Sequence, residues 1–121
     1  MIVVEGVVIG GKRLGRRLGY PTANIDMKEY PEVEHGVYRS KVWVGNEEYL
    51  AMTNVGVRPS VDGTCRLLET HLFGFQGLLY GLTLRVELYD KIRDEKRFSS
   101  VDELREQIAK DAIEIKNKIK K

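Results

Sequence analysis

A chain of 121 residues, 42% hydrophobic and 31% charged, has room for one domain with a real core, which excludes a disordered, fibrous or two-domain protein. Its 20 Lys and Arg against 18 Asp and Glu leave a net charge of +2, too small to argue for nucleic acid by itself. The lone Cys65 excludes an internal disulfide and no apolar run can span a bilayer, so a single cytoplasmic domain over residues 1–121 is expected.

The chain opens on β-branched residues, Ile2–Ile9, which read as a strand. Gly10 to Gly19 then gathers four glycines with Lys12, Arg13, Arg16 and Arg17, just ahead of Pro21-Thr22-Ala23-Asn24. By composition this is a basic surface loop followed by a Pro-initiated strand. It also has the makings of a phosphate-handling loop, in which glycine lets backbone amides approach an anion and the cations add charge. Neither the Gly-x₄-Gly-Lys-Ser/Thr order nor the G-x-G-x-x-G spacing is present, so any such loop is a flap rather than a P-loop or a dinucleotide fold. Thr22 and Asn24 are two apart and point to one side of an extended segment. Their hard, neutral oxygens suit a Mg²⁺ that arrives with nucleotide phosphates, and Zn²⁺ or Mn²⁺ would also fit.

Further strands are predicted over Gly36–Val44, Glu47–Val55, Arg66–Phe73 and Leu82–Tyr89. Gly45-Asn46 between two of them is a tight hairpin signal. Long crossover helices are missing, which favours an antiparallel barrel over a parallel sheet. Glu69 stands among Leu67, Leu68, Leu72 and Phe73, where a carboxylate either turns to solvent or serves as a base; His71 shares its face and reads as an ordinary strand histidine. Arg93–Phe98 is a charged turn, with Phe98 a staple for the helix that follows or part of a seat for a polar-edged ring. Ser100 and Glu103 form a capping box, and Leu104, Ile108, Ala112, Ile115 and Ile119 make one apolar face of a helix over Val101 to Lys118. The Lys116–Lys121 end suits the helix dipole.

Taken together, Gly-Tyr-Pro-Thr-Ala-Asn-Ile at 19–25, His-Gly-Val-Tyr at 35–38, Asn-Val-Gly-Val-Arg-Pro-Ser at 54–60, Leu-Glu-Thr-His-Leu at 68–72, Leu-Tyr-Gly at 79–81 and Ile-Arg-Asp-Glu-Lys-Arg-Phe at 92–98 give a more specific pattern than any one of them. In this order they resemble the ATP-dependent riboflavin kinases of bacterial and eukaryotic type, over about Val4 to Asp111. The resemblance implies a mainly β fold, a six-stranded antiparallel Greek-key barrel with a C-terminal amphipathic helix. It implies transfer of the γ-phosphoryl of ATP to the ribityl 5′-hydroxyl of riboflavin, giving FMN and ADP. Carried over, Glu69 is the catalytic base, and Thr22 and Asn24 are the ligands of Mg²⁺ and the nucleotide phosphates. Gly10, Lys12 and Gly15 belong to the flap over the nucleotide, and Arg93, Glu95 and Phe98 to the loop that helps hold the isoalloxazine. Archaeal-type riboflavin kinases use CTP, but their motifs differ, so ATP is expected. A monomer without nucleic-acid or membrane partners is expected, and, with nothing ahead of Met1, FMN synthesis without FAD synthesis.

Ser60 stands where family members commonly have Thr, and 74–78 reads Gly-Phe-Gln-Gly-Leu where bacterial relatives often carry acidic residues. Two other classes compete with a kinase: a flavin- or nucleotide-binding module without catalysis, and a barrel that binds single-stranded nucleic acid. Retention of Thr22, Asn24 and Glu69 together argues against the first. The lack of a series of exposed aromatics between cations argues against the second.

Overall fold

Alternation of buried and exposed side chains along β-branched segments builds six strands, and a change to helical period adds one helix. A computed structural model describes residues 1–9, 22–60, 63–75, 77–96 and 99–119. The elements are β1 (Ile2–Val7), β2 (Thr22–Asp26), β3 (Gly36–Val44), β4 (Glu47–Ser60), β5 (Gly63–Leu72), β6 (Thr83–Arg93) and α1 (Val101–Ile119). All pairings are antiparallel, in the spatial order β1-β6-β3-β4-β5-β2, and the sheet curls into a nearly closed barrel. β6 returns to lie beside β3 while β3, β4 and β5 follow one another, which is a Greek key.

The Pro-initiated strand is β2, and strand bounds differ from the sequence expectation: β1 stops at Val7, β4 and β5 run on until Ser60 pairs with Gly63, and β6 continues through Arg93. The β3–β4 hairpin turns at Gly45 with φ 61°, and among the described residues only glycines have positive φ, so the Gly45-Asn46 turn has the type II′ pattern.

The barrel interior is filled by Val4, Ile25, Val42, Val55, Leu68, Leu72, Leu84, Val86 and Leu88, all at most 2% exposed. Between these aliphatics lies a row of buried hydroxyls from three strands. The Ser40 Oγ donates to Ala51 O at 3.0 Å, so it accepts from Thr53 at 2.6 Å; Thr53 in turn accepts from Thr70 at 2.7 Å. One hydrogen per hydroxyl thus sets the direction of the whole row.

The segment between β2 and β3 is clamped by Arg66, whose guanidinium reaches Tyr30 O at 3.1 Å and also the Val33 carbonyl. Tyr30 in turn places its hydroxyl on the backbone of Glu5 in β1. α1 lies on the outside of the barrel, where Ile108, Ile115 and Leu104 pack on Val37, Met52, Leu50, Phe73 and Ile92. Its start is capped as expected by the Ser100 Oγ, which accepts from Glu103 N at 3.1 Å. The return bond of Glu103 goes to Ser99 N at 3.0 Å rather than to Ser100. Among the described residues no helix is long and apolar enough to cross a membrane.

Candidate active site

Because Leu68, Thr70 and Leu72 of β5 point into the barrel, Glu69 and His71 are forced to its outer face. β2 obeys the same rule, with Ala23 and Ile25 inside and Asn24 outside. Cross-strand register then aligns what the sequence keeps apart. Asn24 lies opposite Glu69, Glu69 lies opposite Asn54 of β4, and Thr22 lies opposite His71. The candidate site is therefore on the outer wall of the barrel, beside the face that α1 covers, and not in the barrel mouth.

Asn24 is buried to 7% exposure, and the Glu69 side chain keeps 22%. The Oδ1 of Asn54 is buried with no hydrogen-bond partner among the described residues. Two residues along β4, Gly56 leaves a gap that a Cβ would fill, since that atom would run into the Glu95 carboxylate. Two further on, Arg58 reaches into the gap. Its Nη1 donates to Glu95 Oε2 at 3.1 Å, and its Nη2 stands 3.7 Å from Glu69 Oε1.

The loop that carries Glu95 is tied to α1. Arg93 donates from Nε to both oxygens of Asp111 at 3.1 Å and from Nη2 to Oδ2 at 2.8 Å, a fork on a carboxylate that is 2% exposed. Gln107 donates to the same Asp111 at 2.9 Å and accepts from Lys96 at 3.3 Å. Arg93 thus roots the loop on the helix, while Glu95 faces the site.

Of the expected site residues, the structure brings Asn24 and Glu69 together, sets Thr22 on the same strand as Asn24, and places Glu95 beside them across Gly56. Gly10, Lys12, Gly15 and Phe98 lie outside the described residues, as does the side chain of Thr22. Asn54, Arg58 and Asp111 received no role from the sequence. The two-residue spacing of Asn54, Gly56 and Arg58 could have placed the first and second of these three side chains on the Glu69 face, whereas nothing local marks Asp111 as the partner of Arg93.

His71 is 7% exposed, and burial pushes its imidazole down from the usual 6.5 to about 4, so it is neutral at pH 7. Between those values the unfolded chain binds the proton and the folded one does not. Stability is therefore complete above pH 6.5 and falls as pH drops toward 4, by up to about 3 kcal/mol. Urea midpoints at pH 7 and pH 5 should separate more for the parent than for His71→Gln. Equal separations would assign that pH dependence to other groups.

Among the described residues no three His, Cys, Asp or Glu cluster as a metal cage. The donors at hand are the oxygens of Asn24, Asn54 and Glu69, a hard set of the kind that shares an ion with substrate phosphates.

Comparison with known proteins agrees over nearly the whole chain. A family model described as Flavokinase: Riboflavin kinase matches residues 1–119. The bifunctional riboflavin kinase/FMN adenylyltransferase of Buchnera aphidicola subsp. Schizaphis graminum is 45% identical over 118 residues, 95% of this chain and 38% of that protein. The RNA-binding riboflavin kinase RibR of Bacillus subtilis is 40% identical over 112 residues, 92% of this chain and 48% of that protein. The chain spans less than half the length of either relative. A crystal structure titled as a macrolide-efflux protein from Streptococcus pneumoniae superposes with TM-score 0.85 at 35% identity, over 95% of this chain and 38% of that one. Riboflavin kinase from Trypanosoma brucei superposes with TM-score 0.62 at 20% identity, over 98% of this chain and 80% of that one, which is a likeness of fold.

Proposed function

The chain belongs to the riboflavin kinase family, and from that premise we propose that it transfers the γ-phosphoryl of ATP to the ribityl 5′-hydroxyl of riboflavin, releasing FMN and ADP. The observation that carries the reading is the row Asn24–Glu69–Asn54, a carboxylate held between two amides on adjacent strands. A hydroxyl nucleophile needs an acceptor for its proton, and a polyphosphate needs neutral oxygens and cations around it. That row offers the acceptor and the neutral oxygens within one patch, and Arg58 brings a cation to its edge, 3.7 Å from Glu69.

Glu69 orients the 5′-hydroxyl and takes its proton as the new O–P bond forms. The bond from the γ-phosphorus to the β–γ bridging oxygen breaks, and ADP leaves with that oxygen. Most of the rate comes from positioning and charge stabilisation, so a single weak base is sufficient. Thr22 and Asn24 would hold a divalent ion, Mg²⁺ in this proposal, which neutralises phosphate charge when bound. The Oδ1 of Asn54, buried without a hydrogen-bond partner among the described residues, and the all-oxygen donor set fit such an ion. Gly10, Lys12 and Gly15 are assigned to the nucleotide side. The loop of Arg93, Glu95 and Phe98 is assigned to the flavin side, where Arg93 acts by fixing the loop's root on α1.

The ligands in this proposal are small molecules, and the protein is a cytoplasmic monomer. Incubation of the purified chain with riboflavin, MgCl₂ and either ATP or CTP should yield FMN by chromatography with ATP. Binding of riboflavin without FMN would identify a flavin-binding module instead. Salt-sensitive affinity for an oligonucleotide without riboflavin binding would identify a nucleic-acid barrel.

A further inference from the structure

We propose that Arg58 is a positioning residue, set between two carboxylates so that the seating of the 94–96 loop is coupled to the Glu69 carboxylate. The proposal rests on the kinase reading above.

Three features of β4 converge on it. Arg58 is two residues beyond Gly56 and four beyond Asn54, all on the outer face that carries Glu69 on β5. The missing side chain at Gly56 makes the space that Glu95 enters from the loop. Within that space the guanidinium divides unequally. It donates to Glu95 at 3.1 Å and to its neighbour Val57 O at 2.9 Å, but it meets Glu69 at 3.7 Å, beyond hydrogen-bond reach.

The inequality matters chemically. A base that must accept a hydroxyl proton is blunted when a bidentate arginine occupies its oxygens, yet an isolated carboxylate beside ATP is repelled by phosphate charge. A cation held mainly by another carboxylate stabilises Glu69 through space and leaves the hydroxyl's acceptor uncovered by Arg58. Glu95 is therefore the anchor, Arg58 the arm and Glu69 the group being placed. Since Glu95 rides on the loop rooted by Arg93 on Asp111, movement of that loop changes how far Arg58 leans toward Glu69.

Steady-state kinetics on Arg58→Gln, Arg58→Lys, Glu95→Gln and the Arg58→Gln/Glu95→Gln double variant test this. Arg58→Gln should lower kcat by about 10–100-fold with KM for MgATP within about threefold of the parent, and Arg58→Lys should recover a large part of the loss. The double variant should be no slower than Arg58→Gln alone, because the two residues act in one chain. Additive losses, a loss confined to KM, or a Lys variant no better than Gln would overturn the assignment.

Amide exchange of 94–96 reads the same coupling without turnover. Glu69→Gln should leave Arg58 wholly to Glu95 and slow loop exchange by about two- to fivefold, and it should have no effect in the Arg58→Gln background. A Glu69 effect that persists without Arg58, or no effect in either background, removes the link. If the parent forms no FMN but the exchange pattern holds, the kinase reading fails and the Arg58 link stands.

Discussion

Glu69→Gln should lower kcat for FMN formation by about 10²–10⁴-fold while riboflavin and MgATP still bind, because only the proton acceptor is removed. Gln keeps the size of the side chain and its place between Asn24 and Asn54, so the change isolates charge and basicity from shape. The loss corresponds to about 3–5 kcal/mol of barrier, most of what acid–base help can supply in a reaction otherwise governed by positioning. A signature accompanies it. A binding-defective variant would raise KM, whereas loss of a group that acts in the transition state lowers kcat and kcat/KM together. Near-parental kcat in Glu69→Gln would exclude the residue from the chemistry and return the site to a binding role.

Asp111→Ala is expected to destabilise the fold by about 3–5 kcal/mol, since it takes the countercharge from an Arg93 guanidinium beneath α1 whose side chain is only 17% exposed. For a chain of this length that corresponds to a melting temperature lower by roughly 10–20 °C. The same substitution removes the acceptor that orients the Gln107 amide, whose oxygen takes the bond from Lys96. Replacing both partners together, Arg93→Met with Asp111→Leu, should restore most of the melting temperature because no charge is left buried. It should not restore the loop, so riboflavin affinity should stay weak while stability returns. Parallel recovery of both properties would reduce the pair to a packing device with no bearing on the site.

The elements that sequence reading found are those whose cause is local. Alternation in Ile2–Val7 and Gly36–Val44, the Gly45-Asn46 turn and the Ser100–Glu103 cap depend on neighbours a few residues away. β2 was legible only as a short Pro-initiated strand, since it is five residues long and Pro21 marks where it starts but nothing local marks its pairing with β5. β6 passes Tyr89 because Ile92 finds cover under α1, a tertiary reason invisible in the segment itself. Gly56 and Pro59 look like strand breakers, yet β4 runs through both.

The site divides in the same way. Thr22 and Asn24 share a side because strands alternate, and that is visible in a single segment. The meeting of Asn24, Glu69 and Asn54 depends on two separate registers, and Arg58 meets Glu95 across 37 residues of chain. Motif resemblance could name Glu69 without explaining its surroundings. Only long-range pairing supplies them.

The row of hydroxyls inside the barrel bears on errors in folding. A slip of one residue between β4 and β5 would turn the whole apolar face to water and is rejected by hydrophobicity. A slip of two keeps every side chain on its proper face, so the aliphatic lining alone discriminates poorly against it. Such a slip would separate Thr53 from Thr70 and leave the buried Thr70 hydroxyl unpaired, at about 1–3 kcal/mol. It would also set Glu69 opposite Met52 or Gly56 in place of Asn54. Ser40, Thr53 and Thr70 thus proofread, from the buried side of the sheet, the misregistration that would dismantle the outer wall.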